Sequence, residues 1–258
     1  MPSILYSIQQ SVAIITLNRP EKYNAFNREM ALLLQSRLDE AADDKVVRCI
    51  YLTGAGKAFS TGQDLVEVID PDGPGMEKIL SEHYNPVITR IRNANKPVIA
   101  AVNGIAAGAG ANIALCCDIT LATASSYFLQ AFSKIGLIPD SSGTYFLPRL
   151  VGMQKAAGFM MLGEKISATE AERCGMIYKV LSDETFLEES MKIAHTLSNL
   201  PTKALAFTKH ALNASFNNSL TEQLQEEDKF QQMAAATSDF KEGVDAFIEK
   251  RPAVFKGE

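Results

Sequence analysis

Metal ligands and nucleophiles are scarce in this chain. Three histidines, His83, His195 and His210, stand alone in 258 residues, with no H-x-x-x-H or comparable spacing. No metal centre is therefore expected. The four cysteines, Cys49, Cys116, Cys117 and Cys174, show no ligand spacing either. They read as small buried apolar side chains in a reducing compartment, and we expect a cytoplasmic protein. No G-x-S-x-G elbow presents a nucleophilic serine. Gly108-Ala109-Gly110 lacks the third glycine of the dinucleotide fingerprint, which disfavours a nicotinamide cofactor. No apolar leader opens the chain, because Ile4 and Leu5 give way at once to Ser7, Gln9 and Gln10. Excess positive charge is also missing. Thirty acidic against 25 basic residues leave a net charge of −5, which argues against nucleic acid or an anionic membrane as the main partner. A local basic patch for a phosphorylated ligand is still compatible with that charge.

What is present is an ordinary globular composition, 47% apolar and 21% charged, long enough for a substantial core. Residues 97–117 form a weakly polar run about the length of a membrane span. Two Asn, three Gly and no Leu before Leu115 make it a poor one. The run reads instead as a buried strand at 98–102, a break at Asn103-Gly104, a small-residue turn at 106–110 and a helix at 112–117. Strand, turn and helix start together aim free N–H groups into the turn. Thirty residues on, Ile138-Pro139-Asp140 places one carboxylate before a Ser/Gly turn.

Elsewhere, 4–8 and 12–17 predict a hairpin. Asn27 is placed to cap a helix to about residue 42. A strand is expected at 46–53, then a Gly-rich loop at 54–65 and a helix at 76–92. A short strand at 119–122 follows, then a helix at 144–151 broken around Pro148, and another at 155–162. Ser167 and Glu170 fit a capping box, S-x-x-E. After a strand at 177–181 the chain is mostly helical. Strands and helices alternate early and helices dominate late, an α/β body with a helical C-terminal part.

Several motifs in order carry a resemblance across essentially the whole chain. They are Asn18-Arg19-Pro20 with Asn24-Ala25, Phe59-Ser60-Thr61-Gly62-Gln63-Asp64-Leu65, the segment 103–118, the segment 138–149, and Phe247-Ile248-Glu249-Lys250-Arg251. Together they resemble the crotonase superfamily (enoyl-CoA hydratase/isomerase). The resemblance implies a spiral of ββα units over residues 1–195 and a helical trimerisation region over 196–258. It implies acyl-CoA thioesters as ligands, no separate cofactor, and a homotrimer or dimer of trimers. It places an oxyanion hole at the backbone N–H groups of Gln63 and Ala109, where Ala109 replaces the middle of the usual Gly triplet. It also points to Lys22, Tyr23, Ala25, Ser60, Asp64, Leu65, Phe132, Tyr145, Phe247 and Lys250 as substrate-binding positions.

The chain departs from the hydratases of that family at two positions, where their glutamates are replaced by Asn112 and Phe132. Neither can move a proton at neutral pH. Asn112 fits either a buried backbone partner or an amide orienting a substrate oxygen. Asp140 matches the acid/base carboxylate of dienoyl-CoA and epoxyphenylacetyl-CoA isomerases, and it also fits a plain helix N-cap. The leading expectation is an acyl-CoA isomerase with Asp140 as proton shuttle. It would shift a double bond or isomerise ring-1,2-epoxyphenylacetyl-CoA to the oxepin. An enoyl-CoA hydratase and a non-catalytic acyl-CoA-binding homologue are the alternatives.

Overall fold

The computed structural model describes residues 1–258. The chain opens with β1 (Ile4–Gln9), β2 (Val12–Leu17), α1 (Arg28–Asp43), β3 (Cys49–Gly54), β4 (Ala58–Ser60) and α2 (Leu65–Ile69). It continues through α3 (Gly75–Lys78), a π-helical turn (Ile79–Tyr84), α4 (Asn85–Asn93), β5 (Val98–Val102), β6 (Ile105–Ala107) and α5 (Ala109–Leu115). Next come β7 (Ile119–Thr123), β8 (Tyr127–Leu129), a 3-10 turn (Ala131–Ile135), α6 (Gly143–Val151), α7 (Met153–Leu162), β9 (Lys165–Ser167), α8 (Ala168–Arg173) and β10 (Lys179–Leu181). Four helices end the chain: α9 (Phe186–Ser198), α10 (Thr202–Ser215), α11 (Leu220–Ala235) and α12 (Ser238–Glu249).

The strands divide between two sheets, ordered β1-β2-β3-β5-β7-β10 and β4-β6-β8-β9. β1 and β2 are antiparallel, and β2, β3, β5, β7 and β10 run parallel. Each of β3-β4, β5-β6 and β7-β8 gives one strand to each sheet, so the ββα units wind as a spiral. Both faces of the larger sheet are covered, and its central strands are therefore continuously apolar. Ile50 and Leu52 face the main core with Phe26, Leu34 and Phe128, while Tyr51, Ile99 and Leu121 face α9 through Phe186 and Ala194. The run at 97–117 folds as β5, β6 and α5, and no helix is long and apolar enough to cross a membrane.

Local chemistry explains most element ends. The Asn27 side chain accepts from Met30 N at 3.0 Å and starts α1. Pro148 lies inside an unbroken α6, which instead ends at Gly152, where φ is +79°. Only half of the expected capping box forms at α8. Ser167 accepts from Glu170 N, but the Glu170 carboxylate turns away to Lys155 and Arg173. The reciprocal box occurs instead at Ser219–Glu222, at the start of α11. Arg48, just before β3, ties the sheet to the C-terminal part. Its guanidinium donates to Thr202 Oγ1 at 2.8 Å, Leu200 O at 2.6 Å and Phe255 O at 2.7 Å.

Candidate active site

Two glycine-bearing loops meet above the smaller sheet. Gly62 (φ +87°) approaches the β6–α5 turn so closely that a Cβ there would lie 3.0 Å from Ala107 O and 3.1 Å from Ala109 N. Gly108 adopts φ +53°, ψ −129°, a region nearly closed to side chains, and delivers the chain into α5. The Ala109 N–H is the first of that helix, where no intrahelical acceptor exists.

The direction of the Gln63 N–H follows from its neighbours. Phe26 N donates to Gly62 O at 2.7 Å, and Asp64 N donates to Phe26 O at 2.8 Å. Phe26 therefore takes the groups on either side of Gln63, and in that parallel bridge the Gln63 N–H points away from it. Beneath this segment, buried Asn24 donates to Ala55 O and Ala58 O, and the Ser60 hydroxyl donates to Asn24 O at 2.8 Å.

Gln63, Leu65, Ala109, Phe132 and Asp140 line one largely apolar cavity of about 480 Å³, with Tyr84 and Ile79 on its wall. Four larger clefts lie along the C-terminal helices and contain none of these groups. Asp140 is the single carboxylate on the cavity wall. Burial raises its carboxyl above the ordinary carboxylate range, and a 2.8 Å hydrogen bond from Ser141 Oγ opposes that rise. Asp140 does not cap α6 with its side chain. Ser142 occupies the N-cap, and Ser141 and Ser142 carry positive φ of 50° and 64°. The turn is held instead through the Asp140 carbonyl, which accepts from Gly143 N and from Asn112 Nδ2, both at 2.8 Å.

Asn112 is buried, with its second amide end accepting from Gln130 Nε2 at 2.8 Å. Both ends meet protein groups rather than the cavity. Replacing Asn112 with Ala leaves buried polar groups unpaired. We expect a loss of about 2 kcal/mol, read as a melting temperature lower by several degrees. An orienting role would instead lower turnover with melting unchanged. Ser60 and Ala25 are internal, and Ala25 O accepts from Arg19 Nη1. Asp64 caps α2 and pairs with Arg19 at 2.9 Å, off the cavity. Lys22 and Tyr23 are exposed on a 3-10 turn beside Thr61, whose N–H donates to Tyr23 O. Tyr145 does not reach the cavity, because its ring packs against Phe146, Phe216 and the Arg149 guanidinium 3.8 Å away. Phe247 and Lys250 sit at the exposed end of α12, away from the cavity. Sequence reasoning missed Tyr84 and Glu67, which hold the Gln63 side chain. The one visible hint was Tyr84 immediately before Asn85-Pro86.

The family model described as enoyl-CoA hydratase/isomerase matches residues 7–258. A 1,2-epoxyphenylacetyl-CoA isomerase of Escherichia coli is 44% identical over 260 residues, covering 100% of this chain and 99% of the relative. A Rhodobacter capsulatus protein named "Probable enoyl-CoA hydratase" is also 44% identical, over 99% and 98% of the two chains. An enoyl-CoA hydratase subunit I structure from Geobacillus kaustophilus superposes with a TM-score of 0.92 at 34% identity, covering 99% and 98%.

Proposed function

The chain belongs to the enoyl-CoA hydratase/isomerase family, whose members act on acyl-CoA thioesters, and on that premise we propose that it is an acyl-CoA isomerase with Asp140 as the proton shuttle. One observation carries the reading. The apolar cavity lined by Gln63 and Ala109 has a single carboxylate, Asp140, on its wall. The thioester oxygen takes hydrogen bonds from those two N–H groups. Asp140 removes a proton from C2 of a 3-enoyl thioester, and the negative charge spreads onto the thioester oxygen. The same carboxyl returns the proton to C4, leaving a 2-enoyl product. Donors fixed in a dry site stabilise such developing charge by ~3–4 kcal/mol each. Addition of water needs a further group to orient and deprotonate it. Asn112 and Phe132 stand where hydratases of the family resemble one another in carrying glutamates.

Similarity to the Escherichia coli isomerase supports the ring-epoxide of phenylacetyl-CoA as a second substrate candidate. The equal identity of the Rhodobacter capsulatus relative supports the hydratase alternative. Incubation of 3-enoyl- and 2-enoyl-CoA thioesters in heavy water, followed by mass spectrometry, tests the choice. Deuterated isomer without hydrated product is expected from the wild type. Accumulation of hydrated product would replace the isomerase reading with the hydratase.

The pH profile follows from the burial of Asp140. The base must be ionised, so kcat/KM rises with pH through a midpoint above the ordinary carboxylate value and then levels. A midpoint at about 4 or below would show that another group titrates.

A further inference from the structure

We propose that Tyr84 is a positioning residue that fixes the backbone of Gln63 by clamping its side chain, an inference that rests on the acyl-CoA reading of the cavity. Tyr84 Oη donates to Gln63 Oε1 at 2.8 Å. Gln63 Nε2 donates to Glu67 Oε2 at 2.8 Å, and Glu67 Oε1 accepts from Arg28 N at 2.8 Å. The amide orientation is forced by chemistry. The Glu67 carboxylate can only accept, so it takes the NH2 end and leaves the carbonyl end for a donor. Tyr84 is that donor. Burial first, then the nearby Asp140 and Glu67 carboxylates, push its phenol well above the ordinary value, so the hydroxyl stays protonated.

The clamp has a backbone origin. Pro86 has no N–H for the carbonyl four residues earlier, that of Glu82. Glu82 O accepts instead from Gln35 Nε2 at 2.6 Å, and the helix widens into the π-helical turn Ile79–Tyr84. Inserted turns of this kind occur often at functional sites. Tyr84 leaves the turn fully buried, with its ring edge-on to Phe26 at 5.9 Å between centroids. Phe26 in turn bonds the backbone on both sides of Gln63. Gln63 is thus held through its neighbours' backbone by Phe26 and through its own side chain by Tyr84 and Glu67. Little freedom remains for its N–H to swing.

The test uses 4-dimethylaminocinnamoyl-CoA, whose absorbance moves to longer wavelength when its thioester carbonyl is polarised. Binding to the wild type is expected to produce that shift. Tyr84→Phe keeps the ring and removes only the hydroxyl. It should shrink the shift and slow proton exchange about 10-fold, the scale of a small misplacement, while the dissociation constant stays within about twofold. Gln63→Leu, which retains the backbone N–H, should do the same. The double variant should be no worse than Gln63→Leu alone, because Tyr84 acts only through that side chain. A full shift and full exchange rate in Tyr84→Phe, or additive losses in the double variant, would overturn the inference and leave the proposed function standing. No shift in the wild type would remove the oxyanion hole itself, and the clamp with it.

Discussion

Asp140→Asn is expected to lower turnover roughly 10³-fold, within the range for loss of a positioned acid/base, while acyl-CoA still binds. The same substitution should make the protein more stable at neutral pH. Burial raises the Asp140 carboxyl in the folded state above its unfolded value. A group shifted in that direction contributes its stability below the unfolded pKa and loses it as the pH climbs through the folded one. At pH 7 the wild type therefore carries an ionised carboxylate in an apolar wall, and the variant's neutral amide removes that charge. The amide oxygen still offers an acceptor to Ser141 Oγ. Melting curves at pH 7 and at about pH 4, near the unfolded value, read the difference. The variant should melt higher at pH 7, and the gap should close in acid. A wild type that melts higher at both pH values would contradict the burial argument, and full turnover in the variant would remove Asp140 from the mechanism.

Gly62→Ala should be nearly as damaging from the other side of the cavity. The added methyl would sit 3.0 Å from Ala107 O and 3.1 Å from Ala109 N, both backbone atoms that cannot step aside cheaply. The positive φ adds about 1–2 kcal/mol of backbone cost. Relief would come from parting the two loops, which separates the two N–H donors. Turnover should fall ~10²-fold, with the wavelength shift of the cinnamoyl probe lost as well. Unchanged kinetics with a lowered melting temperature would mean that the Gly62 contact serves only packing.

Long, regular features were legible from the chain alone. The hairpin, the Asn27-capped helix and the buried run at 98–102 each contain a full period or a strong cap. The smaller sheet was not legible, because β4, β6, β8 and β9 are three residues long, too short to express an alternation. The π-helical turn was hidden inside a helical pattern, although Pro86 lies two residues past its end. At the site, both glycine loops could be found from their residues. The role of the Asp140-Ser141-Ser142-Gly143 turn could not, since a cap and a catalytic loop share that composition. The deciding partner is Asn112, 28 residues earlier. Tyr145 was misplaced for a similar reason, because its partner Phe216 comes from the far C-terminal region.

The guanidinium of Arg48 has a consequence for the order of events during synthesis. Arg48 is made early, yet one of its acceptors, Phe255 O, lies 207 residues further along. A ribosome therefore exposes the start of this interior strand long before the last of Arg48's acceptors has been translated. Until then its Nη1 lacks the Phe255 carbonyl that it meets in the finished fold. Arg48→Ala should accordingly loosen the C-terminal helices more than the strands, read as faster amide hydrogen exchange in residues 200–258 than in 49–54.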